Sequence, residues 1–202
     1  MKQDFLSELI GSPQRARVLR ALIFNENEQF TASRAGKRAG LSPDIAIREL
    51  NVLQKIGIAK RGKISILNKK TKRKRDETAW SLQANFPHLR ALSTFVREIS
   101  PMKHEQILGA LKKSGRLSTV VLSGSFIGDL TRPADIILGC DELNERKLEG
   151  AMKALEPVFG RELRYAAFST PEFRYRITIQ DKLIRDTLDF PHIVLLDRSG
   201  LF

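Results

Sequence analysis

The first chemistry legible in this chain of 202 residues lies on Asp44, Arg48, Asn51 and Lys55, spaced so that one face of a helix carries all four. An arginine can bridge the O6 and N7 of guanine, and an asparagine the N6 and N7 of adenine. Arg48 and Asn51 are therefore the candidates for reading base edges in a major groove. Ser42, at the start of the same helix, joins this set. A dense run of cations follows. From Lys60 to Arg75, nine of sixteen residues are Lys or Arg and none is acidic. Lys60, Arg61, Lys69, Lys70, Lys72, Arg73, Lys74 and Arg75 are the candidates for phosphate or minor-groove contact, which gains free energy by releasing counterions. An idle, solvated charge run is the plainer reading of such a stretch; its place directly behind a base-reading helix favours nucleic acid.

The elements that must hold these residues can be read from the flanking sequence. Ser42-Pro43 is a cap-then-proline helix start, and Gly57 stops the helix after Ile56. Ala46, Leu50, Leu53 and Gly57 share the face opposite the polar one. Residues 58–67 and 78–82 read as two strands joined by the basic loop, with Trp80 in the core of the return strand. Upstream, Ser12-Pro13 opens a helix with Ala16, Val18, Leu19, Leu22 and Ile23 at helical spacing. Thr31 caps a short helix, Ala32–Ala39, that Gly40 ends, and Glu28-Gln29-Phe30 can add a short strand. Three helices followed by a charged hairpin read as a winged helix-turn-helix. A further helix is expected from Asn85 to about Ile99, with Leu89, Leu92, Val96 and Ile99 as its apolar stripe and Phe86 and Phe95 beside it. That stripe must be buried against a twin or against the remainder of the chain.

The charge distribution supports the same partner. Of a net +12, residues 1–80 hold 18 Lys/Arg against 8 Asp/Glu, and residues 81–202 hold 17 against 15. A polyanion is the natural partner of the first half, because solubility alone would not concentrate the excess around one hairpin. Cys140 is the single cysteine, which leaves no intramolecular disulfide and points to a reducing, cytoplasmic setting. Asp4 and Glu8 argue against a signal peptide. No apolar run approaches the roughly 20 residues of a membrane span. His88, His104 and His192 are scattered, so no metal cluster is expected.

From Leu117 the texture changes. Ser118–Leu122, Ala134–Cys140, Leu163–Phe168 and Ile193–Leu196 read as strands. Asn144–Phe159, Thr170–Ile179 and Lys182–Leu188 read as helices. Within this half, Ser123-Gly124-Ser125-Phe126-Ile127-Gly128-Asp129, followed by Ala134-Asp135-Ile136-Ile137, resembles the signature of the minimal nucleotidyltransferase fold, and the similarity extends over residues 117–197. In that family the Gly-Ser turn lets a triphosphate approach the backbone, and the Asp-x-Asp of the next strand holds metal ions. The resemblance makes Asp135 the first aspartate. Ile137 stands where the second would be, and residues 163–168 supply no acid for the third ligand. Gly124, Ser125 and Asp135 are thus expected as a vestigial nucleotide site in a domain without catalysis, kept as scaffold or sensor. Read by itself, Asp135 is a strand-end residue that hydrogen-bonds the Gly124-Ser125 turn.

The first half resembles prokaryotic winged-helix transcriptional regulators of the arsenical-repressor or multiple-antibiotic-resistance type. The resemblance rests on residues 12–19, Leu41-Ser42-Pro43, Leu50-Asn51-Val52-Leu53 and Ile56-Gly57-Ile58-Ala59-Lys60-Arg61; the paired Cys/His ligands of the metal-sensing members are missing. The expectation is an α+β two-domain chain. Residues 1–84 form a winged helix-turn-helix, 85–114 linking or dimerisation helices, and 115–202 an α/β nucleotidyltransferase-like domain with a small mixed sheet. The expected function is sequence-specific binding of double-stranded DNA in transcriptional regulation, as a homodimer, without cofactor and without membrane; the sequence names no small-molecule effector. The alternatives are a Mg²⁺-dependent nucleotidyltransferase, antitoxin-like, that uses its basic half to hold substrate or partner, and an RNA-binding module.

Overall fold

The computed structural model describes residues 4–67 and 74–202. Among the described residues it is a mixed α/β chain with two small sheets, one of three strands and one of four. Its internal contacts divide it into two compact units, Met1–Ile99 with Glu156–Arg161, and Ser100–Leu155 with Glu162–Phe202. Among the described residues no helix is long and apolar enough to cross a membrane.

The first unit begins with α1 (Phe5–Leu9) and α2 (Pro13–Ile23). Ser12 caps α2, its Oγ accepting from the Arg15 amide at 3.1 Å, and Pro13 fills the first turn where a missing N–H costs nothing. From Val18 to Ile23 every residue of α2 is buried, so this helix is central and not merely amphipathic. Strand β1 (Phe30–Thr31) leads into α3 (Ala32–Ala39), capped by Thr31. A tight turn then feeds α4 (Pro43–Ile56). Two glycines make that turn: Gly40 takes the left-handed conformation at φ +64°, and a Cβ on Gly36 would lie 2.7 Å from the Leu41 carbonyl oxygen. Ala46, Leu50 and Leu53 turn the inner face of α4 into a core that includes Leu19, Leu22, Phe30, Ala35, Ala39 and Trp80.

After Gly57, at φ +90°, the chain enters a hairpin of β2 (Ala59–Leu67) and β3 (Lys74–Leu82). The sheet order is β1-β3-β2, all antiparallel, with Phe30 opposite Trp80 and Thr31 opposite Ala79. The next helix, α5 (Leu89–Glu98), starts four residues later than the expected start at Asn85. Pro87 is the cause: the residue before a proline is pushed out of the helical region, and residues 83–88 form turns instead. On α5, Val96 is fully buried and Leu89, Leu92 and Ile99 are half-buried, while Phe95 faces outward.

The second unit contains α6 (His104–Leu111), β4 (Arg116–Leu122), β5 (Ile136–Asp141), most of α7 (Glu145–Phe159), β6 (Tyr165–Phe168), α8 (Thr170–Thr178), α9 (Lys182–Leu188) and β7 (Ile193–Asp197). Its sheet runs β6-β5-β4-β7. The β5–β6 pair is parallel, joined through α7 as such a pair requires, and the other two pairs are antiparallel. Strands β4 and β5 are buried along nearly their whole length, which is why residues 120–122 and 136–138 run apolar without alternation. Val121, Ala134, Ile137, Phe173 and Ile184 form one core cluster of this unit.

Candidate nucleic-acid interface

Helix α4 is anchored at both ends and across its flank, which leaves one face free. Ser42 Oγ accepts from the Ile45 amide at 3.4 Å, so this candidate residue serves as the cap while remaining exposed. Asp44 lies in the first turn, where a carboxylate favours the positive end of the helix dipole. Glu49 pairs with Arg15 at 2.9 Å and ties α4 to α2. Trp80 Nε1 donates to Gln54 Oε1 at 3.3 Å and ties the C-terminal half to β3. The residues left outward include Asp44, Arg48, Lys55 and the half-buried Asn51. Arg48 has a long hydrogen bond from its Nε to the Asp44 carbonyl, at 3.4 Å, and no ion pair among the described residues. Its guanidinium is therefore available to a ligand.

One member of this face is missing from the sequence-based set. Ile47, 36 % exposed, lies between Asp44 and Asn51 on the polar side of α4. An apolar side chain there can contact a thymine methyl, the one apolar feature of the major-groove code. Sequence reasoning misses it because Ile45, Ala46 and Ile47 form a short apolar run between Asp44 and Arg48, and such a run does not itself say which of its members faces outward.

The hairpin follows α4 after Gly57 and Ile58. Lys60 lies opposite Ser81 and Arg61 opposite Trp80, and both cations are exposed. The Arg61 guanidinium sits 5.7 Å from the centroid of the Trp80 ring, in cation–π range. Lys63, opposite Thr78, lies on the same face as Arg61 two residues on, and extends the cationic row beyond the expected set. Lys74 and Arg75 are exposed opposite Leu67 and Ile66. Lys69, Lys70, Lys72 and Arg73 lie outside the described residues. From Lys63–Thr78 to Leu67–Lys74 the hairpin has no third strand among the described residues, because β1 reaches only Ala79. The arm is not uniformly basic. Register brings Asp76 opposite Ser65, whose hydroxyl donates to it, and Glu77 opposite Ile64. These two acids moderate the cationic row where it leaves the body of the unit.

The Gly124-Ser125 turn of the second unit is built differently. Asp135 is fully buried, and its carboxylate accepts five hydrogen bonds. The Ser125 amide and hydroxyl donate to Oδ1 at 2.7 and 2.8 Å, and Arg164 Nη2 to the same oxygen at 3.2 Å. The Arg164 amide and Nε donate to Oδ2 at 2.8 and 3.2 Å. Burial raises the carboxyl pKa, and the hydrogen bonds from Arg164 and Ser125 overcome it, so the group lies below its ordinary value. Gly124, at φ +53°, is pressed against this carboxylate; a Cβ there would lie 2.2 Å from Oδ1. Ile137 is buried in the core cluster. The donor set does not fit a catalytic metal pair: one carboxylate is already filled by donors and the next position is apolar. Among the described residues no three His, Cys, Asp or Glu side chains are grouped to hold a metal ion.

No family model, no curated protein and no solved structure matches this chain.

Proposed function

We propose that the first unit is a winged helix-turn-helix and that the chain is a sequence-specific, double-stranded DNA-binding regulator of transcription. Helix α4 enters the major groove, where Arg48 and Asn51 read base edges and Ile47 meets a thymine methyl. The β2–β3 hairpin lies along phosphates or an adjacent minor groove, contributing affinity more than selectivity. The second unit, with its nucleotidyltransferase-like signature around Gly124, Ser125 and Asp135, acts as a scaffold or sensor without catalysis. The observation that carries the reading is the outward face of α4: an arginine without an ion pair among the described residues and a neighbouring asparagine, followed within a few residues by a cationic hairpin.

Two variants separate the two roles. Arg48→Ala removes preference among duplexes and leaves binding to arbitrary DNA in place, a loss of about 1–3 kcal/mol at the preferred site. Lys74→Ala with Arg75→Ala weakens binding to every duplex and lowers the slope of log affinity against log salt by up to about two. Titrations of labelled duplex across a salt series read both. Parental binding by both variants would remove the assignment. The nucleotidyl-transfer alternative has the filled Asp135 carboxylate against it; Mg²⁺-dependent incorporation of labelled nucleotide, lost in Asp135→Ala, would establish it.

A further inference from the structure

Part of what packs on α2 comes from far along the chain. Glu156–Arg161, the end of α7 and the two residues beyond it, belongs to the first unit. Gly160, buried at φ +73°, is seated so closely on α2 that a Cβ there would lie 2.6 Å from the Ala21 amide nitrogen and 2.7 Å from the Arg20 carbonyl carbon. Asn25 fastens the seat, its Nδ2 donating to the Gly160 carbonyl at 2.8 Å and to the Ala21 carbonyl at 2.7 Å.

Nearly one turn before Gly160, Pro157 meets the turn between α3 and α4. A Cβ on Gly40 would lie 2.8 Å from the Pro157 Cβ. Gly40 ends α3 in the left-handed conformation, so the contact falls where the chain changes direction into α4. Helix chemistry does not explain the proline. It lies inside α7, where its ring crowds the carbonyl four residues back and it has no N–H to donate. The contact with Gly40 does explain it, because the ring is a rigid body set against the turn. We propose that Glu156–Arg161 is a positioning element: seated on α2, it holds the α3–α4 turn and with it the angle at which α4 presents Arg48 and Asn51. The inference rests on the reading of α4 as the DNA-facing helix. Pro157, Gly160 and Asn25 act through α4 by presetting its geometry, so that less order has to be imposed when duplex binds. The chain enters this segment from α7, whose residues up to Leu155 belong to the second unit, which gives that unit a covalent route to the recognition helix.

Two variants unseat the segment without touching α4. Gly160→Ala drives a methyl into the α2 backbone at a strained φ, and Asn25→Ala removes both hydrogen bonds and adds no atom. The Leu41 amide, which donates to the Gly36 carbonyl at 2.8 Å, reports on the turn by hydrogen exchange. In the full chain both variants are expected to exchange at Leu41 at least about fivefold faster and to bind the preferred duplex at least about fivefold more weakly. Val96→Ala opens a cavity on α5, away from the turn, and is the control for stability alone. It is expected to lower the unfolding midpoint while keeping parental exchange at Leu41 and parental duplex affinity at a temperature where every variant is folded. Should Gly160→Ala fail to fold, Asn25→Ala carries the test. Parental exchange at Leu41 in the unseated variants, faster exchange with no loss of affinity, or an equal loss of affinity in Val96→Ala would each overturn the proposal. A parent that binds no duplex overturns the proposed function, and the exchange measurement still decides whether the segment holds the turn.

Discussion

The pairing of Asp4 with Arg20 was silent in the sequence, yet the two form a deeply buried ion pair. Arg20 is fully buried in α2, and its Nη1 and Nη2 donate to the Asp4 carboxylate at 3.0 and 2.7 Å. Asp4 also caps α1 through the Leu6 amide at 3.0 Å. An arginine amid Val18, Leu19, Ala21 and Leu22 gives no sign of its partner, because that partner lies sixteen residues away and off the helix. Burial raises the Asp4 pKa, and the hydrogen bonds from Arg20 and Ser7 more than offset it, so the group titrates below its ordinary value. A carboxyl whose folded pKa is depressed contributes stability that is complete above its unfolded pKa of about 3.9 and is lost as pH falls through the folded value. Asp4→Asn is therefore expected to cost about 3 kcal/mol near neutral pH, the low end for breaking a buried pair, and to lose less stability than the parent on acidification below about pH 4. Denaturant unfolding at neutral and acidic pH reads both. Asp135 shows the complementary case: its reading as a residue that bonds the Gly124-Ser125 turn matches the observed bonds, whereas its second set of donors, from Arg164, is supplied across the sheet and was invisible in the local sequence.

Elements were legible wherever the signals that start and stop them are local. Ser12-Pro13 and Ser42-Pro43 open α2 and α4, and Gly57 closes α4, all because capping and turn chemistry act within a few residues. Where a local signal was misjudged, as at Pro87, the error was one of boundary. Cross-strand register was not legible: nothing within the run Lys60–Arg75 announces that Asp76 will lie opposite Ser65. The role of Gly36 was likewise hidden, since a glycine in mid-helix gives no hint of the carbonyl that will approach it. Gly36→Ala is expected to destabilise the α3–α4 turn by about 1–3 kcal/mol, because the new methyl meets the Leu41 oxygen at 2.7 Å. Gly62→Ala, whose Cβ would meet nothing within 4 Å, is the matched control and is expected to change little. Thermal unfolding of the two variants checks the contrast; equal midpoints would show that the turn relaxes without cost.

At the scale of the whole chain, the division of charge between halves was visible before any fold was. The basic excess of residues 1–80 falls on the unit that carries α4 and the hairpin, while the second unit uses its carboxylates internally, Asp135 on the turn and Arg164, Asp141 on Thr170, and Asp197 on its own C-terminal residues. That contrast favours α4 and the hairpin as the working surface of the proposed regulator, and gives the second unit the character of a body held together by its polar groups. Rounds of selection by the full chain from a random-sequence duplex pool, repeated with Arg48→Ala, test the central claim most directly. The account predicts that the parent enriches one recurrent motif containing the guanine and adenine positions suited to Arg48 and Asn51, and that the variant retains duplex but enriches no motif. A parent that retains duplex without enriching any sequence, or an Arg48→Ala variant that enriches the parental motif unchanged, would contradict it.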